Sequence, residues 1–267
     1  MDLRDKKQPE LLNRRAVLGL GGGAAFLGLT CRAAGQTPRA FLQEAAAQFP
    51  GAEGSSTGSY NLSYYASMYS ALPEEEFSVP AIPVKRVNPV YFRQLVENPT
   101  GERPRTIIVD TANHFLYLTI ENGKAIRYGV GLGRAGYEWA GRGVIRYKRA
   151  WPRWMPPDAM VARHPELEPY SIANGGMDPG PDNPLGARAL YIFQNGEDTL
   201  YRIHGTPEWW SIGKSVSSGC VRMFNQDVID LYHRVPDETP ILVTSVARLC
   251  DATIRMGTAG AENGELA

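Results

Sequence analysis

A histidine and a cysteine a short distance apart in the chain are the residues best suited to chemistry. His204 begins the tripeptide HGT, and Cys220 follows sixteen residues later within residues 217–222, which read SSGCVR. A cysteine attacks carbonyl groups as its thiolate, and an ordinary pKa of about 8.5 leaves most of it protonated at neutral pH. A nearby imidazole can accept that proton. The pair therefore predicts acyl transfer with Cys220 as nucleophile and His204 as base.

The neighbours of Cys220 fit this chemistry. Gly219 lets the main chain turn sharply, so that successive N–H groups can point at a developing oxyanion. Arg222 adds a fixed positive charge, and the positive end of a helix starting near Asn225 predicts a lowered pKa for the thiol. The alternative is that Cys220 is a small buried apolar residue and His204 a structural strand histidine.

Mainly β structure is predicted to position these residues. β-branched and aromatic runs indicate strands at 106–109, 115–120, 125–130, 144–148, 189–193, 199–204 and 240–244, with a hairpin turn at 121–124 (ENGK). Residues 225–233 predict a helix with Asn225 as its N-cap. We expect an antiparallel sheet or sandwich with one or two short helices, His204 ending a strand and Cys220 in the turn before the helix.

An irregular segment interrupts this pattern between residues 151 and 186. It contains eight prolines, and its aromatic residues Trp151 and Trp154 argue against disorder. A long insertion in a compact domain is usually functional. We interpret it as a lid over the cleft; the alternative is that its aromatic side chains close an open sheet edge.

The beginning of the chain has the composition of an export signal. Residues 12–30 place an arginine pair before an apolar run of about fifteen residues rich in Gly and Ala. A bilayer span needs about 20 apolar residues. Residues 1–35 therefore predict a cleavable, twin-arginine-like signal, a periplasmic mature protein and no transmembrane span in the mature chain.

The other two cysteines leave two alternatives. Cys31 could carry a lipid, but Leu29 and Thr30 before it lack the small residue usual beside a lipidated cysteine, which argues against anchoring. Cys250 could form a disulfide with Cys220, which would exclude acyl transfer. We discount that pairing because Cys250 lies in a C-terminal tail beyond the last predicted strand.

Composition predicts the remaining domain boundaries and excludes some classes of partner and cofactor. Residues 36–103 predict an extension or linker, with a short helix at 40–49 and flexible composition at 51–59, and residues 246–267 a tail. Basic and acidic residues balance at 28 each with no basic block, so nucleic acid is not an expected partner. Neither H-E-x-x-H nor C-x-x-C occurs, and we expect no metal and no cofactor.

Four segments of the chain carry a resemblance to a known family. They are the HGT tripeptide with SIGKSVSSGCVRM at 211–223, VDTANHFLYL at 109–118, NPLGARAL at 183–190 and NQDVIDLY at 225–232. Together they resemble the catalytic domain of bacterial L,D-transpeptidases, the YkuD-like domain. The resemblance covers residues 104–245, which we take as the catalytic domain.

The resemblance implies a reaction on peptidoglycan. Cys220 would attack the carbonyl between the third residue, a diamino acid, and the terminal D-alanine of a tetrapeptide stem. An amine of a neighbouring stem would resolve the thioester into a 3→3 cross-link, or a lysine of an envelope protein would do so.

The resemblance also implies roles for the site residues. His204 would exchange the proton, and the Gly205 carbonyl would orient its ring. The N–H groups of Ser218, Gly219 and Cys220 would form the oxyanion hole. Arg222 would support the loop or meet a substrate carboxylate; Ser217 and Trp154 complete the expected substrate-binding set.

One departure from the family pattern is Ser218, which stands where many members carry a second histidine. His204 is then the only nearby base, and we expect the other three histidines to be structural or solvated. Two alternatives to transpeptidation remain open. They are a peptidoglycan L,D-carboxypeptidase or endopeptidase of the same fold, and a non-catalytic peptidoglycan-binding module.

Overall fold

The computed structural model describes residues 61–133, 140–217 and 219–244. The signal, the predicted helix at 40–49, the linker at 51–59, the C-terminal tail, Cys31, Cys250 and Ser218 lie outside the described residues. The strands are β1 (Gln94–Glu97), β2 (Ile107–Asp110), β3 (Phe115–Thr119), β4 (Lys124–Gly129), β5 (Leu132–Gly133), β6 (Gly141–Ala150), β7 (Arg188–Gln194), β8 (Glu197–His204), β9 (Ser215–Ser217), β10 (Val221–Arg222) and β11 (Thr239–Thr244). The helices are α1 (Leu62–Met68), α2 (Asp158–Arg163) and α3 (Asn225–Arg234).

Nine of these strands form one sheet in the order β1-β4-β3-β2-β11-β6-β7-β8-β10. Its pairs are antiparallel except β2 with β11 and β8 with β10, which are parallel. The strands β5 and β9 form a separate parallel pair. All seven predicted strands and the predicted helix are present, and the mainly β fold class is confirmed.

The ENGK turn shows how local sequence sets the register of the sheet. Asn122 and Gly123 have φ of 59° and 66°, the left-handed region that a type I′ hairpin turn requires. This turn pairs Thr119 with Ala125 and aligns β3 with β4 over five residues. Apolar residues of both strands, such as Leu116 and Ile126, then reach the same buried core.

The helix α3 closes that core. Val228 and Leu231 are fully buried, and they share the core with Leu190 and Ile192 of β7. Burying one such side chain contributes about 1.5–3 kcal/mol. The helix begins three residues after β10 ends, so its packing also fixes the strand that follows Cys220.

The sheet begins upstream of the expected catalytic-domain boundary at residue 104. β1 pairs with β4 over four residues, Gln94 opposite Arg127 through Glu97 opposite Lys124. Tyr65, just inside α1, stacks on the buried Phe92 with ring centroids 4.5 Å apart. Residues 61–103 therefore pack on the fold, although their sequence is irregular.

Residues 151–186 have an ordered main chain. Trp154 and Met177 exchange main-chain hydrogen bonds of 3.0 and 2.7 Å, and Asn183 donates to the carbonyl of Pro152. The ring of Trp151 is buried against Phe77 of the N-terminal segment. Whether the segment acts as a lid stays a prediction.

In the described ranges, no helix combines the length and apolar composition required to cross a bilayer.

Candidate active site

The pairing of β8 with β10 brings the two candidate residues to one edge of the sheet. Arg222 lies opposite His204, and Val221 lies opposite Ile203. Ile203 and Val221 are fully buried in the core, so strand alternation turns His204 and Arg222 to the other face. Cys220, one residue before β10, is level with Arg202, whose main-chain N–H donates a hydrogen bond to the thiol.

His204 is a buried imidazole with a defined orientation. Its Nδ1 lies 2.6 Å from the carbonyl oxygen of Gly205, so Nδ1 carries the proton and Nε2 is the acceptor. Burial lowers the pKa of His204 to about 4, although the Gly205 hydrogen bond raises it; the charges of Arg222 and Arg202 lower it further. At neutral pH the imidazole is therefore an uncharged proton acceptor.

The pKa of the Cys220 thiol differs from the prediction based on the positive end of helix α3. Burial raises its pKa, while the hydrogen bond from Arg202 and the charges of Arg202 and Arg222 act in the opposite direction. The predicted lowering was wrong because β10 separates Cys220 from the first turn of α3 and because the protein atoms packed around the partly exposed Cys220 disfavour the charged thiolate. At rest, the site therefore contains a neutral thiol and a neutral imidazole.

Arg222 joins two neighbouring segments. Its guanidinium forms an ion pair with Glu208, with Nη1 and Oε2 2.5 Å apart. Its main chain exchanges hydrogen bonds of 2.8 and 2.9 Å with Gly131. Of the two roles expected from the resemblance, these contacts favour support of the loop. Beside it an open cleft is lined by Glu208, Trp210, Ser211, Lys214, Val216 and Arg222.

Asn225 explains why the residue after His204 is a glycine. A Cβ on Gly205 would stand 2.2 Å from Oδ1 of Asn225, which accepts a 3.0 Å hydrogen bond from the N–H of Ala187. The expected N-cap role of Asn225 was wrong: Phe224 occupies the N-cap position, and Asn225 is the first helical residue. Its side chain instead holds the loop that enters β7 against Gly205.

Replacing Gly205 by alanine should therefore disturb both fold and site. The added methyl group must displace Asn225 or move the carbonyl that orients His204, and overpacking of this kind costs about 1–3 kcal/mol. We expect a lower free energy of unfolding in urea together with slower acyl transfer. Gly180→Ala, where a Cβ meets no atom within 4 Å, is the control for unfolding. A Gly205→Ala protein as stable as the wild type would contradict the close contact with Asn225.

Of the four remaining predicted site residues, the structure describes three. Ser217 is the last residue of β9, paired with Gly133, and Ser218 lies outside the described residues. Gly219, the residue before Cys220, has φ of 130°, a main-chain conformation that favours glycine. Trp154 contacts Met177 through its main chain and Tyr170 through its ring, 6.4 Å between centroids.

Sequence reasoning missed Arg202 and Glu208. Arg202 lies two residues before His204 on the same strand, so strand alternation alone places it on the same face. Glu208 has no such signal, because its contact with Arg222 depends on the turn after HGT. Across the described parts of the chain, no three His, Cys, Asp or Glu side chains are grouped in a way that could hold a metal ion.

Comparison with known proteins gives a consistent family. Residues 104–243, over half of the chain, match the YkuD model, described as the L,D-transpeptidase catalytic domain. The "Probable L,D-transpeptidase YbiS" of Escherichia coli (strain K12) is 37% identical over 117 residues, 42% of this chain and 35% of that protein. The "Probable L,D-transpeptidase ErfK/SrfK" of the same strain is 33% identical over 143 residues, 51% of this chain and 43% of that protein. The chain spans about a third to a half of the length of the curated relatives it matches.

Two solved structures match parts of the chain. A Brucella melitensis protein described as a probable carnitine operon oxidoreductase is 46% identical over 56% of this chain and 91% of its own, with a TM-score of 0.41. L,D-transpeptidase 3 from Mycobacterium tuberculosis is 14% identical over 52% of this chain and 60% of its own, with a TM-score of 0.38. Both TM-scores are low, so the assignment rests on the family model. Since that model covers more than half of the chain, the protein belongs to the YkuD family of L,D-transpeptidase catalytic domains.

Proposed function

We propose that the protein is a cysteine-dependent L,D-transpeptidase that acts on peptidoglycan tetrapeptide stems. The observation that carries the proposal is the placement of Cys220 directly before β10, at the sheet edge where β10 pairs with the strand that ends at a neutral, oriented His204. A non-catalytic binding module has no need of a base fixed by a carbonyl beside a thiol. Membership of the L,D-transpeptidase family supports the same reaction class.

Acylation begins with proton transfer from the Cys220 thiol to Nε2 of His204. The sulfur attacks the carbonyl carbon between the diamino acid and the terminal D-alanine. The main-chain N–H groups around Gly219 donate hydrogen bonds to the negatively charged oxygen that forms. His204 then gives its proton to the nitrogen of D-alanine. The C–N bond breaks, D-alanine leaves, and a thioester remains on Cys220.

Deacylation uses the same base in reverse. An acceptor amine attacks the thioester carbon and passes a proton to His204, which returns it to the sulfur as the C–S bond breaks. The product is a 3→3 cross-link when the amine belongs to a second stem, or an attached protein when it belongs to a lysine. We propose that this takes place in the periplasm, after export on the twin-arginine-like signal at residues 1–35.

Mass spectrometry on a defined donor tests the proposal. The chain without residues 1–35 is incubated with purified disaccharide tetrapeptide, alongside a Cys220→Ala variant. We expect loss of D-alanine together with a cross-linked dimer, both absent from the variant. Tripeptide without dimer would instead identify a hydrolase or a requirement for a protein acceptor. No Cys220-dependent change on this donor would overturn the enzyme assignment.

A further inference from the structure

Arg202 lies beside the nucleophile and has no part in the mechanism described so far. It precedes His204 by two residues on β8 and therefore shares its face of the sheet. The parallel register of β8 with β10 places Cys220 at its level. The main-chain N–H of Arg202 donates to the Cys220 sulfur, which ties the thiol to β8.

The side chain of Arg202 is held on several sides. Its Nη1 and Nη2 bind Oδ1 and Oδ2 of Asp198 at 2.7 and 2.8 Å, and Nη1 also donates to the carbonyl of Tyr201. The guanidinium carbon lies 4.4 Å above the centre of the Tyr191 ring. That ring stacks on Tyr147 with centroids 4.3 Å apart. A bidentate, stacked arginine of this kind keeps its charge in one place.

The described charges that act on the thiol come from two strands. Arg202 on β8 and Arg222 on β10 both favour the thiolate. Each has one acidic partner, Asp198 for Arg202 and Glu208 for Arg222. The imidazole of His204 is uncharged at neutral pH. Arg202 differs from Arg222 because it holds the sulfur with its main chain as well as with its charge.

We propose that Arg202 is a positioning residue for the nucleophile: its N–H fixes the Cys220 sulfur, and its clamped guanidinium stabilises the thiolate as the proton moves to His204. The proposal depends on the proposed function only in taking Cys220 as the nucleophile. The ion pair that holds the guanidinium gives Asp198, four residues before Arg202 on β8, a role in the same arrangement.

Alkylation of Cys220 across pH measures this role without any substrate. The purified full chain is treated with iodoacetamide from about pH 6 to 10, and the Cys220 peptide is quantified by mass spectrometry, which separates it from Cys31 and Cys250. In Arg202→Met we expect the apparent pKa of the thiol to rise by about one unit, which makes alkylation at pH 7 about tenfold slower. Arg202→Lys keeps the charge but loses the two-nitrogen contact with Asp198, and its alkylation profile should lie between those of Arg202→Met and the wild type.

Arg149 provides a matched control. It lies over the Tyr147 ring at 5.5 Å, in the same row of aromatic rings, but has no contact with the thiol among the described residues. Arg149→Met should keep the wild-type profile. A folded Arg202→Met protein with the wild-type profile would overturn the proposal. If Arg202→Met does not unfold cooperatively, and so is not properly folded, Arg202→Lys is the deciding variant. An upward shift of its apparent thiol pKa supports the role of Arg202, and an unchanged alkylation profile refutes it.

The two proposals fail in different experiments. A wild-type alkylation profile in the Arg202 variants refutes the positioning role but does not affect D-alanine release by the unmodified protein. Absence of Cys220-dependent D-alanine release refutes transpeptidation on that donor, while the alkylation profile still reports the role of Arg202.

Discussion

His204→Asn should lower the rate of D-alanine release by about two to four orders of magnitude, the usual contribution of a positioned general base. Asparagine can still donate to the Gly205 carbonyl, but it has no basic nitrogen at the position of Nε2. Because burial raises the pKa of the Cys220 thiol, little thiolate forms without a proton acceptor. Single-turnover release of D-alanine from the tetrapeptide donor, followed by mass spectrometry, measures the effect.

The pH profile of the same reaction identifies the base. Burial lowers the pKa of His204 to about 4, so the imidazole accepts protons throughout the range above that value. Wild-type acylation should therefore keep its rate down to about pH 5 and fall as pH drops through about 4. In His204→Asn the rate should instead rise with pH, because only direct ionisation of the thiol remains. His233→Asn, at an exposed position in the last turn of α3, is the control. A wild-type acid limb near pH 6.5 would contradict the buried, neutral imidazole.

The sheet was predictable because its strands are encoded locally. The strands from residue 106 to 130 alternate or cluster β-branched and aromatic residues, and ENGK supplies the turn between two of them. β1 has no comparable signal: its four residues are half-buried or exposed, and only the pairing with β4 makes them a strand. The boundary at residue 104 was drawn where the local pattern begins.

The protonation state of the site could not be predicted from the sequence because it depends on burial. The positive end of a nearby helix argued for a lowered thiol pKa, but burial is the largest effect on the pKa of Cys220 and raises it. The role of Asn225 was missed for a related reason. As a polar residue at the start of a helix it fits an N-cap, whereas its real partner, the N–H of Ala187, lies 38 residues away.

The longest-range feature is a buried charged cluster that joins the N-terminal segment to α3. Arg93 lies between Asp227 and Asp230, with its Nη1 2.6 Å from Oδ1 of Asp230. The hydroxyl of Tyr69 accepts from the N–H of Arg93 at 2.7 Å and donates to Asp227 at 3.0 Å. The hydroxyl of Tyr128 donates to Asp230. The cluster therefore fixes the helix that follows the catalytic turn.

Removing Arg93 from this cluster should destabilise the protein strongly above pH 7, where Asp227 is ionised. Arg93→Met keeps the apolar stem but leaves the buried carboxylate of Asp227 without its cation, which costs about 3–5 kcal/mol of unfolding free energy, while Asp230 keeps its ion pair with Arg234. Urea unfolding measures the loss. Arg146→Met is the control, because the exposed ion pair of Arg146 with Glu238 contributes at most about 1 kcal/mol. Equal losses in the two variants would show that the cluster does not stabilise the fold.

Asp227 makes the stability of this cluster depend on pH. Burial raises its pKa to about 7 from an ordinary value of 3.8, although the charge of Arg93 lowers it. Between those two values the folded protein binds a proton that the unfolded chain releases, so this contribution is full below about pH 4 and is lost as pH rises towards 7. Asp227→Asn imitates the protonated carboxyl group and should remove this dependence while costing little stability at pH 5. If the variant kept the wild-type slope of unfolding free energy between pH 5 and 7, Asp227 would not be the titrating group, and its partnership with Arg93 would be that of an ordinary ion pair.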